Sequence, residues 1–168
     1  FDGHEFMNAA YEKSHGGALC NRKNSDIFRE SKGTVILVED TIKALLDLAR
    51  YKREQIKTRV IAITGSNGKT TTKEILVNIL KSVASVHFNE KNFNNIIGVP
   101  KSILSIREDP QFCVFELGTN SKGEIRLLAE ATQPDISLIT NINPSHLEGL
   151  SDIEGVLEEK VTLFYQTK

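Results

Sequence analysis

Neither sign of charge predominates in this sequence. Its 168 residues hold 21 lysines and arginines against 22 aspartates and glutamates, a formal net charge of -1. That balance removes any bulk electrostatic case for nucleic acid or an anionic membrane surface, so a polyanion would have to be held by a local site. No apolar run approaches the ~20 residues of a membrane-spanning helix, and no basic segment followed by an apolar core opens the chain as a signal peptide would. Cysteine is scarce. Cys20 and Cys113 stand far apart, without metal-ligand spacing and beside apolar residues, which predicts buried thiols and not a disulfide, and favours a reducing cytoplasm. Internal repeats and low-complexity tracts are absent too.

What is present is ordinary for a globular protein: 39% hydrophobic and 26% charged residues suffice for one sizeable core and a smaller piece. Short β-rich runs, "RVIAIT" (59–64), "SVHF" (85–88), "FCVFEL" (112–117) and "DISLIT" (135–140), alternate with helical patterns. One helical stripe is Ile75, Leu76, Ile79, Leu80 and Val83; another is Ile125, Leu127, Leu128 and Ala131. Strands separated by helices predict an α/β domain with a mostly parallel sheet, because parallel neighbours need crossover connections. Ahead of it, "TVILV" (34–38) reads as a strand, and Asp40 can cap a helix over about 41–51. The polar "YKREQIKT" (51–58) reads as a linker, so residues 1–55 form a small α/β piece with its connection and 56–168 the larger domain.

The stretch "VIAITGSNGKTTTKE" (60–74) runs from a strand ending at Thr64 into a helix beginning near Lys69. That context gives a glycine-rich lysine loop its meaning. Gly65 can take a positive φ, Gly68 lets the backbone approach an oxygen closely, and the helix start offers N–H groups. Lys69 would place a point charge on phosphates, and the Thr70 hydroxyl could reach Mg2+. The strict phosphate-loop spacing asks for glycine where Ile63 stands, so that rule fails; the shorter G-x-x-G-K-T-T form keeps every physical part. A plain strand-to-helix turn is the bland alternative.

Ligands of open parallel sheets sit outside the carboxyl ends of the strands. Polar residues gather there: the glycine loop, "NEKNFNN" (89–95), Glu116, and "NINPSH" (141–146). Glu116 suits a carboxylate holding Mg2+, or else is a strand end in solvent; His146 is a metal ligand or polar surface; the asparagines bind a ligand or only shape a turn. Their joint placement favours a Mg-ATP site. Ile153, Val156, Lys160 and Phe164 share one helix face, so Lys160 either snorkels outward or is held in a low-dielectric site with a lowered pKa.

In order, "ITGSNGKTTTKE", "NFNNIIGVP", "ELGTNSKGEI", "ITNINPSHLEGL" and "EGVLEEKVTLF" resemble the motifs of the Mur ligases, ATP-dependent enzymes of peptidoglycan precursor synthesis in bacterial cell-wall biogenesis. The pairing of the second and third is most similar to the member that adds D-alanyl-D-alanine to UDP-N-acetylmuramoyl-tripeptide. The opening "FDGHEFMNAAYEKSHGGALC" resembles the end of that member's uridine-nucleotide-binding domain. The resemblance implies that Gly65, Ser66, Asn67, Gly68, Lys69, Thr70 and Thr71 cradle ATP phosphates. It further implies that Thr70, Glu116, His146 and a carbamylated Lys160 serve magnesium, and that Asn94 and Asn95 lie near the phosphate and acyl group, Asn95 with Lys69 and Lys160 in a catalytic role. A cytoplasmic monomer with small-molecule substrates is expected. So is a fragment, inactive alone, with the first part of the ATP-binding domain and no carboxyl-terminal domain. Other readings are the Mur ligase that adds the third residue, a folylpolyglutamate synthase, or a non-catalytic nucleotide-binding module.

Overall fold

The structure, a computed structural model, describes residues 3–23, 33–145 and 147–168. It divides into two compact units, Phe1–Ala44 and Leu45–Lys168.

In the first unit a 3-10 turn, Gly3–Phe6, leads into helix α1, Met7–Ser14. His15 stops that helix in the left-handed region (φ 52°), its N–H donating to the Tyr11 carbonyl at 2.7 Å. Strands β1, Ala18–Asn21, and β2, Val35–Val38, pair in parallel. Sequence reasoning found only the second, since "ALCN" is short and ends on a turn residue. Helix α2, Thr41–Gln55, opens on Asp40, whose Oδ1 accepts from the N–H groups of Ile42 (2.8 Å) and Lys43 (3.0 Å).

Of the linker expected at 51–58, only residues 56–58 lie outside a helix or strand. Helix α2 continues to Gln55, and the units divide inside that helix. Its last turn is held by Arg53, 4% exposed, which donates to the carbonyls of Thr132 (2.9 Å), Ile56 (3.2 Å) and Gln133 (3.2 Å) and pairs with Asp135 at 3.4 Å. A residue that looks like a linker charge anchors the helix to the sheet.

The second unit is a parallel sheet in the order β4-β5-β3-β6, from β3 (Arg59–Thr64), β4 (Val86–Phe88), β5 (Phe112–Glu116) and β6 (Ile136–Ile139). Its connections carry α3 (Lys69–Lys81), α4 (Gly98–Leu104) and α5 (Glu124–Thr132); α6 (Leu147–Leu150) and α7 (Ile153–Tyr165) follow. The expected α/β fold with a parallel sheet is therefore the observed one. Ile61, Ile63, Val77 and Val114 form a core under Leu76, Leu80, Val86, Phe88 and Phe112. Both cysteines are buried thiols. Among the described residues no helix is long and apolar enough to cross a membrane.

Three helices depart from their expected faces. In α3, Lys73 and Val77 point inward and Ile75 and Ile79 are 57% and 61% exposed, as is Val83 just past its end, at 79%. The buried Lys73 is satisfied on that inner face, its Nζ donating to the Asn89 carbonyl at 2.7 Å. In α7 the buried face is Val156, Glu159, Lys160 and Leu163, while Ile153 and Phe164 stay about half exposed. In α5, Leu127 likewise turns outward, while Ile125, Leu128 and Ala131 are buried.

Candidate active site

The loop after β3 is built by two unusual backbone positions. Gly65 has φ 146°, and a Cβ there would strike the Thr140 hydroxyl. Gly68, with φ 77°, has open space where its Cβ would stand, so nothing of the protein fills the cradle over the start of α3. The first N–H groups of that helix, on Lys69, Thr70 and Thr71, have no intrahelical carbonyl and face a natural anion position. Lys69 arches back over the loop, Nζ donating to the carbonyls of Gly65 (2.7 Å) and Ser66 (3.3 Å). Burial lowers its pKa, and the Glu116 charge works against that.

The segment after β6 fastens this loop. The Ser66 N–H donates to the Asn141 carbonyl and the Asn67 N–H to Asn141 Oδ1, both at 3.0 Å. Thr140 Oγ1 and Asn141 Nδ2 donate back to the Asn67 carbonyl at 2.6 and 3.0 Å, and Ser66 Oγ donates to the Asn143 carbonyl at 2.7 Å. Ser66 and Asn67 therefore spend their N–H groups on holding the loop. His146, at the end of this segment, lies outside the described residues.

Glu116, the last residue of β5, is 2% exposed, which removes the reading of a strand end in solvent. Its Oε2 accepts from Thr70 Oγ1 and its Oε1 from Asn94 Nδ2, both at 2.8 Å. Asn94 in turn crowds Gly118, where a Cβ would come within 3.0 Å of the amide, so the "NFNN" and "ELG" motifs are one interlocked piece. Asn95 points elsewhere: its Oδ1 accepts from the N–H groups of Ile97 (3.1 Å) and Gly98 (2.8 Å) and caps α4.

Sequence reasoning missed two residues here. Asn89 replaces a backbone neighbour for Glu116: its Oδ1 accepts from the Glu116 N–H and its Nδ2 donates to the Glu116 carbonyl, both at 2.8 Å. Lys73 Nζ lies 3.9 Å from Glu116 Oε2.

Lys160 does not snorkel; it is 1% exposed. Burial first, then the nearby Lys69 charge, lower its pKa to about 8, with Glu159 opposing. Glu159 is buried as well and accepts from the N–H groups of Gly123 (2.7 Å) and Ile125 (2.8 Å), tying α7 to the start of α5.

The Thr70 hydroxyl and Glu116 carboxylate are adjacent hard oxygen donors beside an anion cradle. This set fits a Mg2+ ion, which takes one or two carboxylates and completes its shell with water and substrate phosphates. Among the described residues no three His, Cys, Asp or Glu side chains converge, so an all-protein cage is not offered.

Residues 63–168 match the model of the Mur ligase middle domain. The UDP-N-acetylmuramoyl-tripeptide--D-alanyl-D-alanine ligase of Bacillus subtilis (strain 168) is 41% identical over 163 residues, covering 97% of this chain and 35% of the relative. The crystal structure of MurF from Acinetobacter baumannii superposes with a TM-score of 0.90 at 34% identity, over 100% of this chain and 36% of that one. MurF ligase from Thermotoga maritima in complex with ADP gives 0.89 at 33% identity, over 100% and 38%. The chain spans about 35% of the length of the curated relatives it matches. From its phosphate loop to its last helix, the chain belongs to the Mur ligase family.

Proposed function

We propose that the protein to which this chain belongs is an ATP-dependent ligase that joins D-alanyl-D-alanine to UDP-N-acetylmuramoyl-tripeptide. The observation that carries the reading is the hydrogen-bonded line Thr70–Glu116–Asn94, which unites the phosphate-loop, strand-end and asparagine motifs at one edge of the sheet. A simple nucleotide-binding module needs no carboxylate buried against its phosphate loop.

The terminal carboxylate of the tripeptide attacks the γ-phosphorus of ATP, and ADP leaves. The amino group of the dipeptide then attacks the acyl phosphate carbon, loses a proton, forms the amide and expels inorganic phosphate. A carboxylate is a poor electrophile until its oxygen belongs to a good leaving group, so the phosphoryl group is spent on activation. The N–H groups from Gly68 to Thr71 cradle the phosphates, and Lys69 swings from its loop carbonyls to the transferred group. Thr70 and Glu116 would hold Mg2+, and His146 and a carbamylated Lys160 would serve a second ion; bound there, magnesium would supply positive charge against the phosphates. A depressed Lys160 pKa supports carbamylation, because the neutral amine is the form that adds CO2. Asn94 orients Glu116, and Asn95 reaches the acyl group only after α4 gives up its cap. The first unit belongs to the uridine-nucleotide domain, and the site is cytoplasmic.

The test is isotopic. With the full-length protein and tripeptide labelled with oxygen-18 in its terminal carboxylate, an acyl phosphate sends one labelled oxygen into released phosphate. Unlabelled phosphate would refute it.

A further inference from the structure

Lys73 is 0% exposed on the first buried turn of α3, one turn beyond Lys69, and the reaction outlined above does not use it. Its Nζ donates to the Asn89 carbonyl (2.7 Å), meets Glu74 Oε1 at 3.3 Å, and lies 3.9 Å from the same Glu116 oxygen that accepts from Thr70. The Phe88 ring stands 5.9 Å behind it. Its place does not depend on Glu116: Asn89 holds the ammonium with its carbonyl and the Glu116 backbone with its side chain. A carboxylate buried to this degree needs a counter-charge, and a lysine beside a cation site repels the cation.

We propose that Lys73 is a positioning residue of the metal site: its ammonium is the resident counter-charge that keeps Glu116 in place before a cation binds, and it weakens the hold of the cation that does bind. The consequence is a site that is ready without metal yet releases the ion easily with the product nucleotide. This rests on the reading of Thr70 and Glu116 as Mg2+ ligands.

Two measurements on the full-length protein separate the parts. The first is a stability cycle in chelator with K73M, E116Q and the double variant. The ion pair predicts that each single change lowers the denaturant midpoint and that the double variant regains part of the loss relative to K73M; a double variant whose loss is the sum of the two, or that fails to fold when K73M also fails, overturns the proposal. The second is Mg2+ titration calorimetry with ADP bound. K73M should bind Mg2+ roughly tenfold more tightly, because a like charge has gone. A folded K73M with unchanged or weaker affinity overturns the proposal, since a purely structural lysine would give that result. If E116Q binds Mg2+ as wild type does, the metal reading fails and the second half of the proposal falls with it, while the chelator cycle still reports on the ion pair alone.

Discussion

Thr70 Oγ1 donates to Glu116 Oε2 at 2.8 Å, joining the first turn of α3 to the end of β5. The two residues are 46 positions apart, and the bond exists only because β3 and β5 are adjacent parallel strands in a register that pairs Ile63 with Glu116. Thr70→Val keeps the shape and removes the hydroxyl. It should cost about 1 kcal/mol of stability and abolish most of the Mg2+ dependence of nucleotide binding. Thermal melts and calorimetry of ADP binding with and without Mg2+ check both halves.

The two loop glycines should fail in different ways. Gly65→Ala drives a methyl into Thr140, whose hydroxyl holds the Asn67 carbonyl, so about 2 to 4 kcal/mol of stability should be lost. Gly68→Ala meets no neighbour and carries only the strain of its positive φ, about 1 kcal/mol, but its methyl occupies the cradle. Denaturant titration should rank Gly65→Ala as the less stable, while nucleotide affinity falls in both.

Arg53→Met takes the guanidinium donor from three carbonyls and leaves Asp135 with only the Val60 N–H. A loss of about 3 kcal/mol follows from breaking a buried charge network. Fraying of α2 after Tyr51 should appear as faster amide exchange at Lys52 to Gln55.

As the free amine, Lys160 gives the protein a pH signature. Its folded pKa of about 8 lies below the unfolded value of 10.5, so between those values the unfolded chain binds more protons. Stability contributed at this position is full above 10.5 and is lost as pH falls through about 8. Lys160→Met should be stabilised relative to wild type at pH 7, with the difference shrinking toward pH 10. Paired denaturant curves at the two pH values measure it; a constant difference would contradict the assignment.

The strand ends were legible because each apolar run stops on a polar residue, and Gly65, Gly68 and Lys69 carry their loop in a local pattern. Lys160 was legible as a polar residue on an apolar helix face. Lys73 shares that signature, spaced four from Val77 and three more from Leu80, but the exposed Ile75, Ile79 and Val83 form a competing stripe that drew the helix face the wrong way. Asn89 reads as a turn residue, and Arg53 as a solvated charge. Their partners, Glu116 for the first and the Thr132 and Gln133 carbonyls for the second, become neighbours only when the sheet closes. Helix α4 escaped notice because its seven residues include Pro100, and its cap is the side chain of Asn95, a residue singled out for chemistry.

Coupled phosphate release is the direct test of the ligase chemistry. The full-length protein is given ATP, Mg2+ and UDP-N-acetylmuramoyl-tripeptide, with and without D-alanyl-D-alanine, beside Lys69→Ala. Release that requires the dipeptide and drops at least a hundredfold in the variant is the predicted result. Release indifferent to the dipeptide, or carried out equally by Lys69→Ala, would contradict it.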